Sequence, residues 1–252
     1  MKRRIGSTAL FPDPEKRKAV FMTYVLSDIH GNLRLFREMK ERIGLLTEDA
    51  LFVLGDVIDR YPDGIDILRE LMGMPNVRMI RGNHEEMMLS ALTMRVDPDD
   101  LWSVRMRREA LSLWYYNGGR VTHDAMDRLS GAERREVFRY LRSLPSEYRV
   151  EVNGAAYLLV HGAPRECCPN GEDPDEFTVW ERIPAGAVMP EGVTVIFGHT
   201  PTSEYQDANP LRIWRGERRI GIDCGCGFPE DWPERGRLAC LRLDDMKEFY
   251  AE

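Results

Sequence analysis

Five stretches of the chain end a short apolar run in a residue able to bind metal: YVLSDIHG (24–31), LFVLGDVIDR (51–60), VRMIRGNHEE (77–86), YLLVHG (157–162) and VTVIFGHT (193–200). Four of the five histidines, His30, His84, His161 and His199, stand at these run ends, which random placement would not produce. Buried strands deliver side chains to the carboxyl edge of an α/β sheet, where sites form. Asp, Asn and His converging on such an edge make a metal site suited to hydrolysis, with donors enough for two ions.

Asp28 and His30 lie two residues apart just past a strand, so both can point to the same side. Asp56 can bridge two cations through its two carboxylate oxygens. Asn83 offers a neutral amide oxygen, and His161 and His199 offer imidazole nitrogens. Three oxygen and three nitrogen donors without a thiolate suit Mn²⁺, with Fe and Zn²⁺ as alternatives, better than Ca²⁺ or a soft metal. Each motif alone is weak, because Asp-Gly and Asn-His pairs are common turn formers. The complete order D-x-H, G-D-x-x-D-R, G-N-H-E, H-G, G-H is specific.

This ordered set resembles the calcineurin-like metallophosphoesterase superfamily over about residues 22–243. GDVIDR narrows the resemblance to the phosphoprotein phosphatase branch. That branch includes Ser/Thr protein phosphatases, bacteriophage-type phosphatases and symmetrical diadenosine tetraphosphate hydrolases. The resemblance implies that Asp28, His30 and Asp56 hold one metal, and Asp56, Asn83, His161 and His199 the second. It makes Arg60 a phosphate clamp and His84 the acid that protonates the leaving oxygen, oriented by Asp59. A W-x-R motif in the branch supplies a second phosphate arginine, and Trp180-Glu181-Arg182 fits it. The substrate-binding set is then Arg60, Arg182, Asn83 and Tyr61. Two positions depart from the branch: Ser27 and Tyr61 stand where glycines are usual. A tyrosine at 61 sits at the mouth of the site and narrows substrate choice.

Elementary chemistry agrees. Two divalent ions about 3.5–4 Å apart share a water, lower its pKa and aim it in line at phosphorus, so direct attack needs no phosphoenzyme. Planar guanidinium forks match the equatorial phosphate oxygens. His84 cannot be both ligand and acid, and Asn83 beside it already faces the metal, so the acid role falls to His84.

The elements that position these residues alternate. Strand 23–27, a helix over about 32–43, strand 51–54, a helix from near Pro62, strand 77–80 and a helix from Asn83 to about Met94 form β-α-β-α-β-α, hence a parallel sheet. Residues 97–145 read as helical, with a capping box at Ser130 and Glu133. Residues 148–160 form a hairpin around Asn153-Gly154. Further strands are expected at 193–197, about 211–214, 219–222 and 237–243. The fold class is α/β. The resemblance implies a four-layer α/β/β/α sandwich of two mixed sheets with helices outside and segment 97–145 as one wall of the cleft. Residues 1–21 form a polar, flexible extension before a single domain, 22–252, and Met22 offers an alternative start.

The chain has 252 residues, net charge −7, 43% hydrophobic and 31% charged content. This suits a globular domain and gives no general affinity for nucleic acid or anionic membrane. No run approaches the ~18–20 apolar residues of a membrane span. The basic start lacks the apolar core of a secretory signal. Five cysteines do not make a disulfide framework, and a reduced cytoplasmic compartment follows. Cys224-Gly225-Cys226 reads as structural, and His123 as a surface residue outside every motif. Trp114, Tyr115 and Tyr116 read either as core or, with the turn Asn117-Gly118-Gly119, as a substrate wall of the kind the branch's W-x-N-G-G segment supplies.

The leading function is hydrolysis of phosphomonoesters in the manner of a Ser/Thr protein phosphatase. The alternative is hydrolysis of a dinucleoside polyphosphate, in which the aromatic segment stacks a base. A non-catalytic metal-bound scaffold is disfavoured because every ligand and the acid are retained. The expected partner is a phosphorylated substrate, either a phosphoprotein or a small phosphate ester or nucleotide.

Overall fold

Strands β1 (Thr23–Leu26), β2 (Ala50–Val53) and β3 (Val77–Met79) pair in parallel, and the crossovers between them are α1 (Leu33–Ile43) and α2 (Gly64–Met72). Parallel neighbours require such crossovers. The computed structural model describes residues 21–229 and 236–252, so all but Phe21 of the expected N-terminal extension lies outside the described residues. Helix α1 forms where the sequence places apolar residues at helical spacing: Leu35, Phe36, Met39 and Ile43 are buried. Asn32 caps its start by accepting from the Leu35 amide (3.2 Å), and Gly44, at φ 59°, ends it.

Two antiparallel strands complete the first sheet, β9 (Leu238–Arg242) beside β1 and β10 (Lys247–Ala251) at the edge. The order is β10-β9-β1-β2-β3. After β3 comes α3 (Asn83–Thr93), then α4 (Leu101–Tyr116), α5 (Arg120–Arg128) and α6 (Gly131–Ser143). Segment 97–145 is thus three helices, and the Ser130–Glu133 capping box opens the last of them. They bury Trp114, Met126, Val137 and Leu141 in the core that also covers the outer face of the first sheet.

The second sheet is β4 (Glu147–Val152), β5 (Ala155–Val160), β6 (Thr194–Phe197), β8 (Arg219–Gly221) and β7 (Trp214–Gly216), in that order. β5, β6 and β8 are parallel, and β4 and β7 run antiparallel at the edges. Strand alternation divides the apolar residues between two cores. Val25, Phe52 and Leu54 of the first sheet meet Tyr157, Leu159, Ile196 and Ile220 of the second in the space between the sheets. Leu158, Val160, Val195 and Phe197 face the other way.

A helix flanks that outer face too, completing the α/β/β/α sandwich of two mixed sheets. The fourth layer is one short helix, α7 (Pro174–Trp180), plus irregular chain carrying Ile183, Met189 and Val193. Irregular chain there needs partners for its carbonyls. Arg219 supplies them, donating to the carbonyls of Pro184, Ala185 and Ala187. The strand expected near 211–214 begins at Trp214 instead, because Leu211 turns with a left-handed φ of 59°. Among the described residues, no helix is long and apolar enough to cross a membrane.

Ile196 is fully buried between the sheets. Ile196→Ala is expected to lower stability by about 2–5 kcal/mol, the range for truncating a core aliphatic residue. Urea unfolding with an unchanged m-value checks this.

Candidate active site

Six of the eleven non-glycine residues with positive φ among the described residues are at one place: Asp28 (54°), His30 (50°), Asp56 (52°), Asp59 (72°), Arg60 (68°) and His199 (61°). Left-handed backbone at non-glycine residues costs about 1–3 kcal/mol each and persists only when the surroundings over-determine it. Here the turns after β1 and β2 hold one another. Asp28 N–H donates to Gly55 O (3.2 Å), His30 N–H to Asp56 O (2.9 Å) and Gly31 N–H to Val57 O (2.7 Å).

The structure gathers Asp28, His30, Asp56, Asn83, His161 and His199 at the carboxyl ends of the parallel strands. His161 Nε2 lies 3.4 Å from Asp56 Oδ1 and 2.9 Å from Asn83 Oδ1. His199 Nδ1 lies 3.0 Å from the same amide oxygen. His30 Nε2 lies 3.7 Å from Asp56 Oδ2 and 4.0 Å from Asp28 Oδ1. Two groups of converging donors share Asp56: His30, Asp56 and His84, and Asp56, His161 and His199, each with its ligand atoms within 4.8 Å of one another. The first group contains His84 where the sequence reading placed Asp28. The Asp28 carboxylate lies beside this group and accepts the His199 backbone N–H (3.1 and 3.2 Å).

The electrostatics suit divalent cations. Burial and the neighbouring Asp223 push the Asp28 carboxyl well above the usual range. Burial acts on Asp56 in the same sense, yet His161, His84 and His30 hold it well below that range. Burial also opposes protonation of His161, but the Asp56 carboxylate carries it up to about 10. Burial and the His161 charge push His199 down to about 3, and burial, Arg60 and His84 push His30 well down. His30 and His199 are therefore neutral nitrogen donors beside buried carboxylates, a set that hard or borderline divalent ions fit.

Beside the donors lies a second array. His84 Nδ1 contacts Asp59 Oδ2 at 2.7 Å, and Arg60 Nη2 reaches His84 Nε2 at 3.4 Å. A guanidinium can only donate, so Nε2 is the acceptor and Nδ1–H donates to Asp59. Arg182 stands apart, exposed and ion-paired with Glu204. Its charge still reaches His199, and its segment is tied in because the Trp180 carbonyl accepts from His199 Nε2 (3.0 Å). Cys224 and Cys226 are buried free thiols that belong to neither donor group, and the Cys226 thiol donates to the Ile29 carbonyl (3.3 Å), between Asp28 and His30. His123 is half-buried against Tyr115 and Trp114 rather than on the surface.

Sequence reasoning missed two buried carboxylates. Glu85 accepts the backbone N–H groups of Asp56, Val57 and Gly82, each at 2.9 Å, and so fixes the turn that carries Asp56. Its place as the third residue of α3 was the available signal. Gly82 must be glycine, since a Cβ would stand 2.2 Å from Asp56 Oδ1. Asp223 ends the run IGID just as the recognised ligands end theirs, and its carboxylate caps the Gly225 N–H (2.9 Å).

A cleft of about 650 Å³ opens next to Arg60, lined by Tyr61, Tyr116, Asn117, Gly118, Gly227 and Phe228. The aromatic segment therefore splits: Trp114 is fully buried, while Tyr116 is 91% exposed at the cleft. The Tyr61 hydroxyl donates to the Phe228 carbonyl (2.7 Å), joining the two sides of the cleft.

The sequence profile of the calcineurin-like phosphoesterases matches residues 21–224, and the chain belongs to that family. It is a phosphate-ester hydrolase carrying candidate ligands for the family's two-metal site. It is 37% identical to a symmetrical bis(5'-nucleosyl)-tetraphosphatase of Nitrosomonas europaea, over 90% of this chain and 97% of that one. The enzyme of the same description from Serratia proteamaculans is 23% identical over 90% and 93% of the two chains. Among solved structures, a metallophosphoesterase from Sphaerobacter thermophilus shares the fold at TM-score 0.54, with 19% identity over 91% of this chain and 86% of that one.

Glu85→Ala would leave three buried N–H groups without acceptors. At about 1–3 kcal/mol for each group, the fold should lose several kcal/mol, and metal affinity should fall with it. Thermal unfolding with and without Mn²⁺ checks both. Unchanged melting would remove Glu85 from this role.

Proposed function

We propose that this hydrolase acts on dinucleoside polyphosphates, cleaving a symmetrical tetraphosphate into two nucleoside diphosphates. The carrying observation is the cleft beside Arg60, whose aromatic side chains Tyr61, Tyr116 and Phe228 could stack a nucleobase while the guanidinium holds a phosphate. Base–aromatic stacking is worth about 1–3 kcal/mol per base. The names of the curated relatives support the same reading. It replaces the protein Ser/Thr phosphatase reading that the sequence motifs put first.

In this reading Asp28, His30, Asp56, Asn83, His161 and His199 hold two divalent ions, and the donor set suits Mn²⁺. The ions, when bound, supply Lewis-acid activation of water and of the phosphoryl oxygens. The protein's own groups do the rest. Arg60 orients the phosphate through two parallel N–H donors. Asp59 accepts Nδ1–H of His84 throughout, and His84 in its imidazolium form gives its second proton, on Nε2, to the leaving oxygen and returns to the neutral tautomer. Arg182 joins the phosphate if it exchanges Glu204 for substrate. The free cysteines are in keeping with a reducing cytoplasm.

A panel of diadenosine tetraphosphate, phosphoserine peptides and sugar phosphates, assayed with Mn²⁺, tests the substrate class. The dinucleotide should give two nucleoside diphosphates and the highest kcat/KM. A preference for phosphopeptide with release of inorganic phosphate would restore the protein phosphatase reading. Tyr116→Ala should raise KM for the dinucleotide by about tenfold, one stacking contact, and leave p-nitrophenyl phosphate hydrolysis nearly unchanged. Equal effects on both substrates would take the base off Tyr116.

A further inference from the structure

Trp114 is a fully buried indole on a segment that contributes no metal donor. Its Nε1–H donates to Asp59 Oδ2 at 2.8 Å, the same oxygen that His84 Nδ1–H reaches at 2.7 Å. The other oxygen, Oδ1, is buried and has no hydrogen-bond partner among the described residues. Two donors therefore converge on one carboxylate oxygen, and that oxygen fixes the imidazole.

The surrounding chain holds the backbone of the same residues. Asp59 and Arg60 are both left-handed, at φ 72° and 68°. Asp59 N–H donates to Thr122 Oγ1 of α5 (2.9 Å), and Arg60 N–H donates to Gly118 O (3.1 Å). Gly118 itself has φ 93°, and a Cβ there would stand 3.1 Å from Arg60 Cγ. The turn closes on the indole, since Gly119 N–H donates to Trp114 O (2.9 Å) and a Cβ on Gly119 would stand 2.3 Å from Trp114 Nε1. The backbone N–H groups of both Asp59 and Arg60 thus end on partners in residues 118–122.

We propose that Trp114 is a positioning residue. Its indole N–H locks the Asp59 carboxylate that aims His84, and the Asn117-Gly118-Gly119 turn and Thr122 lock the backbone that aims Arg60. The insert α4–α5 is then a clamp on the proton-delivering pair as well as a wall of the cleft. This inference rests on reading His84 as the proton donor. A buried charged acceptor that loses one of its two donors keeps the other in a less defined direction, and the imidazole gains freedom. Proton delivery suffers most where the leaving group needs it most.

The test compares a series of substituted phenyl phosphates, from good to poor leaving groups, hydrolysed with Mn²⁺ by wild type, Trp114→Phe, His84→Asn and the double variant. Phenylalanine keeps an aromatic ring and deletes the donor. Trp114→Phe should lower kcat about tenfold on poor leaving groups, the size of one hydrogen bond to a charged group, and little on good ones. KM and bound metal should stay unchanged. In the His84→Asn background the substitution should add nothing to the leaving-group dependence. A loss from Trp114→Phe that is equal across the series, or no loss, overturns the proposal while leaving His84 as the acid. A flat series for His84→Asn overturns both. If the phenylalanine variant does not fold, replacing Trp114 alone by benzothienylalanine, with sulfur in place of N–H, gives the same reading with the shape conserved.

Discussion

The structure turns on one buried carboxylate. Asp56 is 2% exposed and is approached by His30, His84 and His161, at 3.7, 3.8 and 3.4 Å. A charge removed from water must be compensated in place, and here the His161 imidazole, which Asp56 holds toward its protonated form, and the His84 backbone N–H (3.0 Å) do so. Because its two oxygens face different histidines, both donor groups meet there. Everything that holds Asp56 therefore holds the whole site. Glu85 grips its turn, and Gly82 leaves it room.

The fold's contribution is to make strained backbone tolerable. Six left-handed residues in one site would together take a large share of a domain's stability of about 5–15 kcal/mol. They persist because each turn is hydrogen-bonded to the next. The turn after β1 hangs on the turn after β2, which hangs on α3 through Glu85 and on the helical insert through Gly118 and Thr122. Residues far from the donors in sequence thus become part of the chemistry.

Much of this was legible in the sequence. Buried parallel strands read as apolar runs, and the donors sit at their ends, so the β-α-β-α-β-α half and the donor set could be written down together. The Asn153-Gly154 hairpin and the Ser130 capping box carry strong local signals, and both are present. What was not legible depends on tertiary contact. β10 is a half-buried edge strand with little apolar pattern, and α7 is a seven-residue helix started by a proline. The chain over the second sheet's outer face is irregular because Arg219 satisfies its carbonyls, which no periodicity announces. Glu85 looks like an ordinary helix-start glutamate until three backbone amides are seen on it. The split between buried Trp114 and exposed Tyr116 needed the helix phase and the position of Asp59.

The site's chemistry and its substrate have different physical origins. Phosphoester hydrolysis comes with the family; in the proposed reading the donors and the His84–Asp59–Arg60 array carry that chemistry, and the cleft beside Arg60 carries selectivity. The central claim is that Asp56 joins two metal ions in one centre. Diffraction from crystals grown with Mn²⁺, recorded at the manganese absorption edge, tests it most directly. The account predicts two anomalous peaks flanking Asp56, one beside His30 and the other beside His161 and His199. A single peak, or peaks that Asp56 does not touch, would contradict it.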